Sequence, residues 1–97
     1  MIGLFDTNNV TATLNAPITD FDLLVIALFD NNTLATHGCN ICPALLFPAY
    51  DNSYHAFGVS SYTSNGRAYA YINYISPTSV NCQASTGCGG AIYGIKW

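Results

Sequence analysis

The chain has 97 residues, of which 51% are hydrophobic and 7% charged, and its formal net charge is -3. That length makes one domain with a small core, and the charge content is far below the roughly 25% of an average soluble domain. Arg67 and Lys96 are the two fixed cations, too few for a phosphate-binding stripe, so a nucleic-acid partner is excluded.

Near the start, Asp6-Thr7-Asn8-Asn9 is turn chemistry, and Val10 to Leu14 alternates as a short strand. Asn15-Ala16-Pro17 breaks it. Ile18-Thr19-Asp20 leads into Phe21 to Asp30, FDLLVIALFD, whose β-branched centre and Asn/Asp-rich ends predict a strand buried on both faces. The longest apolar run, Leu23 to Phe29, is far short of the ~20 residues that a membrane-spanning helix needs, so membrane insertion is not expected. Asp30-Asn31-Asn32-Thr33 reads as a turn. Leu34 to Cys42 is irregular, with Gly38 inside it, and Pro43 to Tyr50 suits a short edge strand, because proline is excluded from central positions. Asp51-Asn52-Ser53 is a further turn.

Tyr54 to Ser76, YHAFGVSSYTSNGRAYAYINYIS, reads as two strands joined at Asn65-Gly66, a pair suited to a two-residue type I′ turn. That turn sets Ser64 opposite Arg67, Tyr62 opposite Tyr69 and Phe57 opposite Tyr74. Alternation then separates two faces. Phe57, Val59, Ala68, Ala70, Ile72 and Tyr74 form a core face. Tyr54, Tyr62, Tyr69, Tyr71 and Asn73 form the other, with Arg67 at its turn end. Four of the seven tyrosines thus share one face of one hairpin, aromatic yet hydroxylated, as suits a surface covered only part of the time. Pro77 ends the second strand. Thr78 to Gln83 reads as a strand running into a Gly-rich turn over 85–90. Ala91 to Trp97 closes the chain, with Ala91, Tyr93 and Ile95 facing one way and Ile92, Gly94 and Lys96 the other. Turns every eight to twelve residues and no helical pattern predict an all-β fold, a small antiparallel sandwich or short barrel spanning residues 1–97.

Several pieces of this order resemble the C-terminal domains of bacteriophage tail fibre and tail-tip proteins. They are Ala16-Pro17-Ile18-Thr19-Asp20-Phe21-Asp22, the apolar strand Leu23 to Phe29, and the closing Ile92-Tyr93-Gly94-Ile95-Lys96, the most specific of them. The resemblance spans most of the chain. It implies a β-sandwich head at the C-terminal end of a longer fibre protein, carried as a homotrimer on the virion tail outside the cell. Such heads adhere to a receptor on the host bacterial surface, protein or polysaccharide. The cysteine-bearing stretches are not part of the shared pattern, and they are where this chain would read its own receptor.

Four cysteines, Cys39, Cys42, Cys82 and Cys88, allow three disulfide pairings, among which the sequence does not choose. Disulfides that stiffen loops are the expectation; a zinc site at His37, Cys39 and Cys42, completed by Cys82 or Cys88, is the alternative. Asp20 and Asp22, alternate residues near a turn, read as solvated rather than as calcium ligands. Neither histidine accompanies a nucleophile-elbow sequence and the chain has no glutamate, so no enzymatic activity and no cofactor are expected. The binding candidates are Tyr54, Tyr62, Asn65, Arg67, Tyr69 and Tyr71. A structural virion module, such as a fibre cap or decoration domain, and a carbohydrate-binding module are the alternatives to an adhesive head.

Overall fold

The computed structural model describes residues 1–6, 10–51, 55–63 and 66–97, with the backbone alone at Tyr62 and Thr63. Among the described residues eight strands form two antiparallel four-stranded sheets: β1 (Gly3–Phe5), β2 (Val10–Thr13), β3 (Leu23–Asp30), β4 (Thr36–Pro43), β5 (Phe57–Thr63), β6 (Gly66–Ser76), β7 (Ser79–Ala84) and β8 (Cys88–Ile95). The first sheet has the order β1-β8-β3-β4 and the second β2-β7-β6-β5. Strands from the two ends of the chain therefore lie side by side in both sheets, and hairpins β3–β4 and β5–β6 close the far edges. The all-β sandwich is as expected from the turn spacing.

The core lies between the sheets. Alternate residues Leu24, Ile26 and Leu28 of β3 and Ile92 of β8 meet Ile72 of β6 with Val80 and Cys82 of β7, all fully buried. Burial in β3 alternates strictly from Leu23 to Leu28, so the strand is buried on one face and half-exposed on the other, not buried on both. Phe47 plugs one end of the core, edge-on to Phe57 and Tyr74 at ring separations of 6.1 and 5.9 Å.

Two stretches depart from expectation. Pro43 to Tyr50 is no strand: Ala44–Ala49 forms a 3-10 helix with Pro48 inside it, anchored by the buried Ala44 and Phe47. The stretch read as irregular holds β4, an eight-residue edge strand. Its composition hides it, because an edge strand with one buried residue, Cys42, has no apolar alternation to display. Its pairing with β3 shifts at Leu28/Phe29, so His37 is the extra residue of a bulge between Thr36 and Gly38. The connecting turn is fixed by Asp30, whose carboxylate accepts the backbone N–H groups of Asn32 (2.8 Å) and Thr33 (3.1 Å).

The Gly-rich run at 85–90 is also shorter as a turn than its composition suggests, since Gly89 and Gly90 already belong to β8. Rings explain them. A Cβ on Gly90 would lie 2.4 Å from the Phe5 ring, and one on Gly94 would lie 2.4 Å from the Phe21 ring. The two sequence pieces behind the family resemblance meet here. Phe21 covers Gly94, the Asp22 N–H donates to the Ile95 carbonyl (2.8 Å), and the Asp22 carboxylate accepts the Trp97 N–H (2.9 Å). Both pieces hold the fold together.

Candidate binding face

The β5–β6 hairpin forms with a register two residues from the expected one. Thr63 pairs with Gly66, Tyr62 with Arg67, Ser60 with Tyr69 and Gly58 with Tyr71. The connection thus lies one residue earlier than Asn65-Gly66, and Gly66 takes the left-handed φ of 115°. A two-residue change of partner leaves every side chain on its own face. Phe57, Ala68, Ala70 and Ile72 are accordingly buried, and Val59 and Tyr74 pack against the core. Tyr54, Asn65 and the Tyr62 side chain lie outside the described residues.

Arg67, Tyr69 and Tyr71 stand at alternate positions of β6 on its outward face, Arg67 exposed and both tyrosines half-buried. The rings of Tyr69 and Tyr71 stack at 5.3 Å and 17°. The Arg67 guanidinium carbon lies 5.6 Å from the Tyr69 ring centroid, and its Nη2 donates a hydrogen bond to the Tyr71 hydroxyl. One cation thus bridges two rings, and the guanidinium keeps further N–H donors to offer. The platform is Gly58. A Cβ there would fall 2.1 Å from Tyr71 Cδ1 and 2.3 Å from the Ala70 carbonyl oxygen, so only glycine lets the ring lie over β5. Ser85, just past β7, pins Tyr69: its Oγ accepts the Tyr69 N–H (3.0 Å), and its own N–H donates to the Tyr69 carbonyl (3.0 Å).

The register carries the same face across the sheet. Gln83 of β7 lies beside Tyr71, and Asn81 lies between Asn73 and Thr11. Asn73 is buried and the others are at least partly exposed. This face is therefore amide, hydroxyl and phenol, with Arg67 at one end. Sequence reasoning missed its β7 members, although the alternation of Ser79, Asn81 and Gln83 with buried Val80, Cys82 and Ala84 was readable. The array presents donors and acceptors for a polar ligand.

The cysteines play no part in it. All four are free thiols, Cys39 exposed and Cys42, Cys82 and Cys88 buried, so the expected disulfides are not formed. They sit in strands, not loops. Cys39 pairs with Ala27 and Cys42 with Leu24, which sets them on opposite faces of β4, beyond reach of one another's sulfur. The same separation undoes the zinc alternative, and no cluster of three metal-binding side chains occurs among the described residues. Burial pushes the Cys42 thiol up to about 11 and the Cys82 thiol up to about 12, leaving both inert near neutral pH. His37 sits in the β4 bulge and His55 is exposed. Asp22 spends its carboxylate on Trp97.

Comparison with family models, curated proteins and solved structures gave no significant match to this chain.

Proposed function

We propose that the chain is an adhesion module, the receptor-binding head of a bacteriophage tail fibre or tail-tip protein, acting without chemistry on its ligand. The observation that carries this reading is the Arg67–Tyr69–Tyr71 array, mounted on Gly58 and fixed from behind by Ser85. Its side chains are ordered by each other before a ligand arrives, so less entropy is lost on binding. Tyrosine and arginine also dominate the energetics of protein recognition surfaces. Further support is the likeness of residues 16–22 and 92–96 to phage fibre heads, though those residues serve the fold.

The receptor is an outer-surface protein or polysaccharide of the host. The row Thr11 and Asn81, at least partly exposed, beside Gln83 and Tyr71 favours a hydroxyl-rich ligand such as a polysaccharide, because amides and phenols donate and accept alike. Display in several copies on one fibre tip, three in such heads, would raise a weak single-site affinity through effective concentration.

The test is competition. The isolated domain at saturating concentration should protect susceptible bacteria from virus carrying it, and an Arg67→Ala/Tyr71→Phe variant of unchanged melting temperature should not. Absence of protection by the wild-type domain would refute the reading.

A further inference from the structure

The end of the sandwich that Phe47 plugs carries two short 3-10 helices, Ile18–Asp20 and Ala44–Ala49, and a cleft of about 200 Å³ opens between them. Its floor is the buried Ile18 and Ala44. Its walls are the half-buried rings of Phe21 and Tyr74. Its rim is the exposed Thr19, Leu45 and Pro48. The period of the second helix builds that rim. Residues three apart eclipse in a 3-10 helix, so Ala44 and Phe47 turn to the core while Leu45 and Pro48 turn to the cleft. Leu45 is 89% exposed, so a large apolar side chain stands at the mouth almost uncovered. None of the lining residues is charged. A concave apolar site with a few polar groups, set at the mouth of a β fold, is where small ligands bind.

The fold holds these walls in place. The Ile18 N–H donates to the Pro77 carbonyl (2.8 Å) and the Phe21 N–H to the Ile18 carbonyl (3.2 Å), which ties the first helix to the turn between β6 and β7. The Ala44 N–H donates to the Asp22 carbonyl (3.0 Å), which ties the second helix to the segment that follows the first. Phe21 lies over Gly94. Tyr74 sets its ring edge-on to Phe47, and its N–H donates to the Tyr50 carbonyl (2.6 Å). A ligand entering beside these rings therefore loses little to ordering of the protein. The cleft is separate from the Arg67–Tyr69–Tyr71 array. Tyr74 is on the opposite face of β6 from Tyr71, and about 24 Å along the strand from Arg67.

We propose that this cleft binds a small neutral molecule built on one aromatic ring, of which phenol is the simplest form. Size sets the ring. An apolar cavity of about 150 Å³ takes benzene, so about 200 Å³ takes one ring and a substituent. The walls set its aromaticity, because the Phe21 and Tyr74 rings reward a flat π-surface over a puckered one. The hydroxyls of Thr19 and Tyr74 are the polar side-chain groups of the lining, and they suit a phenolic oxygen that both donates and accepts. Charge rejects an anion: no cation lines the cleft, and Asp20 and Asp22 flank Phe21 in the chain. A peptide is the poorer occupant. Peptide docking leans on main-chain hydrogen bonds, and the N–H groups of Ile18, Phe21, Ala44 and Tyr74 are already spent within the fold. The inference does not depend on what Arg67, Tyr69 and Tyr71 bind.

Titration of phenol into isotope-labelled protein, followed by amide chemical shifts, tests it. Saturable shifts centred on residues 18–21, 44–48 and 74 are expected, with a dissociation constant on the order of 1 mM, ordinary for a single ring. Cyclohexanol should bind several-fold more weakly, and benzoate roughly tenfold more weakly. Leu45→Ser, at a position open to solvent, should keep the melting temperature and weaken phenol binding roughly fivefold. Thr19→Val should weaken phenol roughly threefold yet leave toluene unchanged, a split that lost packing would not produce. Gly-Tyr-Gly, which carries the same ring on a chain, should bind no better than phenol. Five results would each overturn the inference: no saturable shifts at about 10 mM phenol, shifts spread instead over Leu4, Ile41 and Tyr93, equal binding of cyclohexanol or benzoate, undiminished binding by Leu45→Ser, or tighter binding of Gly-Tyr-Gly.

Discussion

Gly94→Ala puts the packing account to a test of sign. In a strand, alanine normally gains about 0.5–1 kcal/mol over glycine, because glycine loses more backbone freedom on folding. The backbone at Gly94 is not left-handed, so nothing in φ opposes the change. What opposes it is Phe21, whose Cδ1 and Cγ would lie 2.4 Å from the new methyl group. Phe21 is only partly buried, so the ring can tilt away, but it then gives up its contact with β8. Overpacking of this kind costs ~1–3 kcal/mol. The net effect is a loss of ~0.5–2 kcal/mol, a fall of roughly 2–16 °C in melting temperature for a domain of this size. Urea denaturation of Gly94→Ala, Phe21→Ala and the double variant measures the contact directly. With the ring gone the glycine is free to change, so Gly94→Ala in the Phe21→Ala background should be neutral or stabilising. The coupling should be ~1–3 kcal/mol. A Gly94→Ala domain that melts above wild type, or strictly additive losses, would refute the reasoning.

Other expectations follow from single contacts. Asn31 donates to the carbonyls of Asp6 (3.2 Å) and Cys88 (3.3 Å), so Asn31→Ala should cost ~1 kcal/mol by chemical denaturation. Asn31→Asp should cost more at neutral pH, where its carboxylate faces those same acceptors. Ellman's reagent at mildly alkaline pH should find one fast thiol, Cys39, in dilute native protein and all four after unfolding, since the other three are buried. Two fast thiols or none would contradict the assigned faces of β4. The N–H groups of Thr33 and Asn32 hold the Asp30 carboxyl below its ordinary value of 3.8, with nearby His37 contributing. A carboxyl with a depressed folded-state pKa stabilises fully above its unfolded value and loses that contribution as pH falls through the folded value. The difference between wild type and Asp30→Asn in melting temperature should therefore be constant above about pH 4 and shrink as the pH falls further below that value.

What was legible in the sequence follows from how each element is buried. In β8 alternation separated Ala91, Tyr93 and Ile95 from Ile92 and Gly94, as the pairing with β3 has them, whereas the alternation of β7 was there to be read and was assigned no faces. The faces of β5 and β6 were readable for the same reason, and they survived a register error because the error was even. β4 was not readable: as an edge strand it is held by backbone pairing with β3 and by Asn40 donating to the Gly58 carbonyl (3.0 Å), neither of which leaves an apolar pattern. The 3-10 helix at Ala44–Ala49 has one large buried residue, Phe47, beside the small Ala44, and includes or adjoins Pro43 and Pro48, which reads equally well as an edge strand. Gly89 and Gly90 mimic a turn, yet their bareness answers to Phe29 and Phe5, their partners on the flanking strands β3 and β1, which are remote in sequence. The Arg67–Tyr69–Tyr71 array was visible as a pattern, but its platform, Gly58, and its brace, Ser85, come from tertiary contacts that local chemistry does not encode.

The most direct measurement of the account is binding of fluorescently labelled domain to a panel of bacteria, wild type beside an Arg67→Ala/Tyr69→Ala/Tyr71→Ala variant shown to melt at a similar temperature. The account predicts saturable decoration of particular strains by the wild type and its loss in the variant. Equal decoration by wild type and triple variant, or none on any strain, would contradict it.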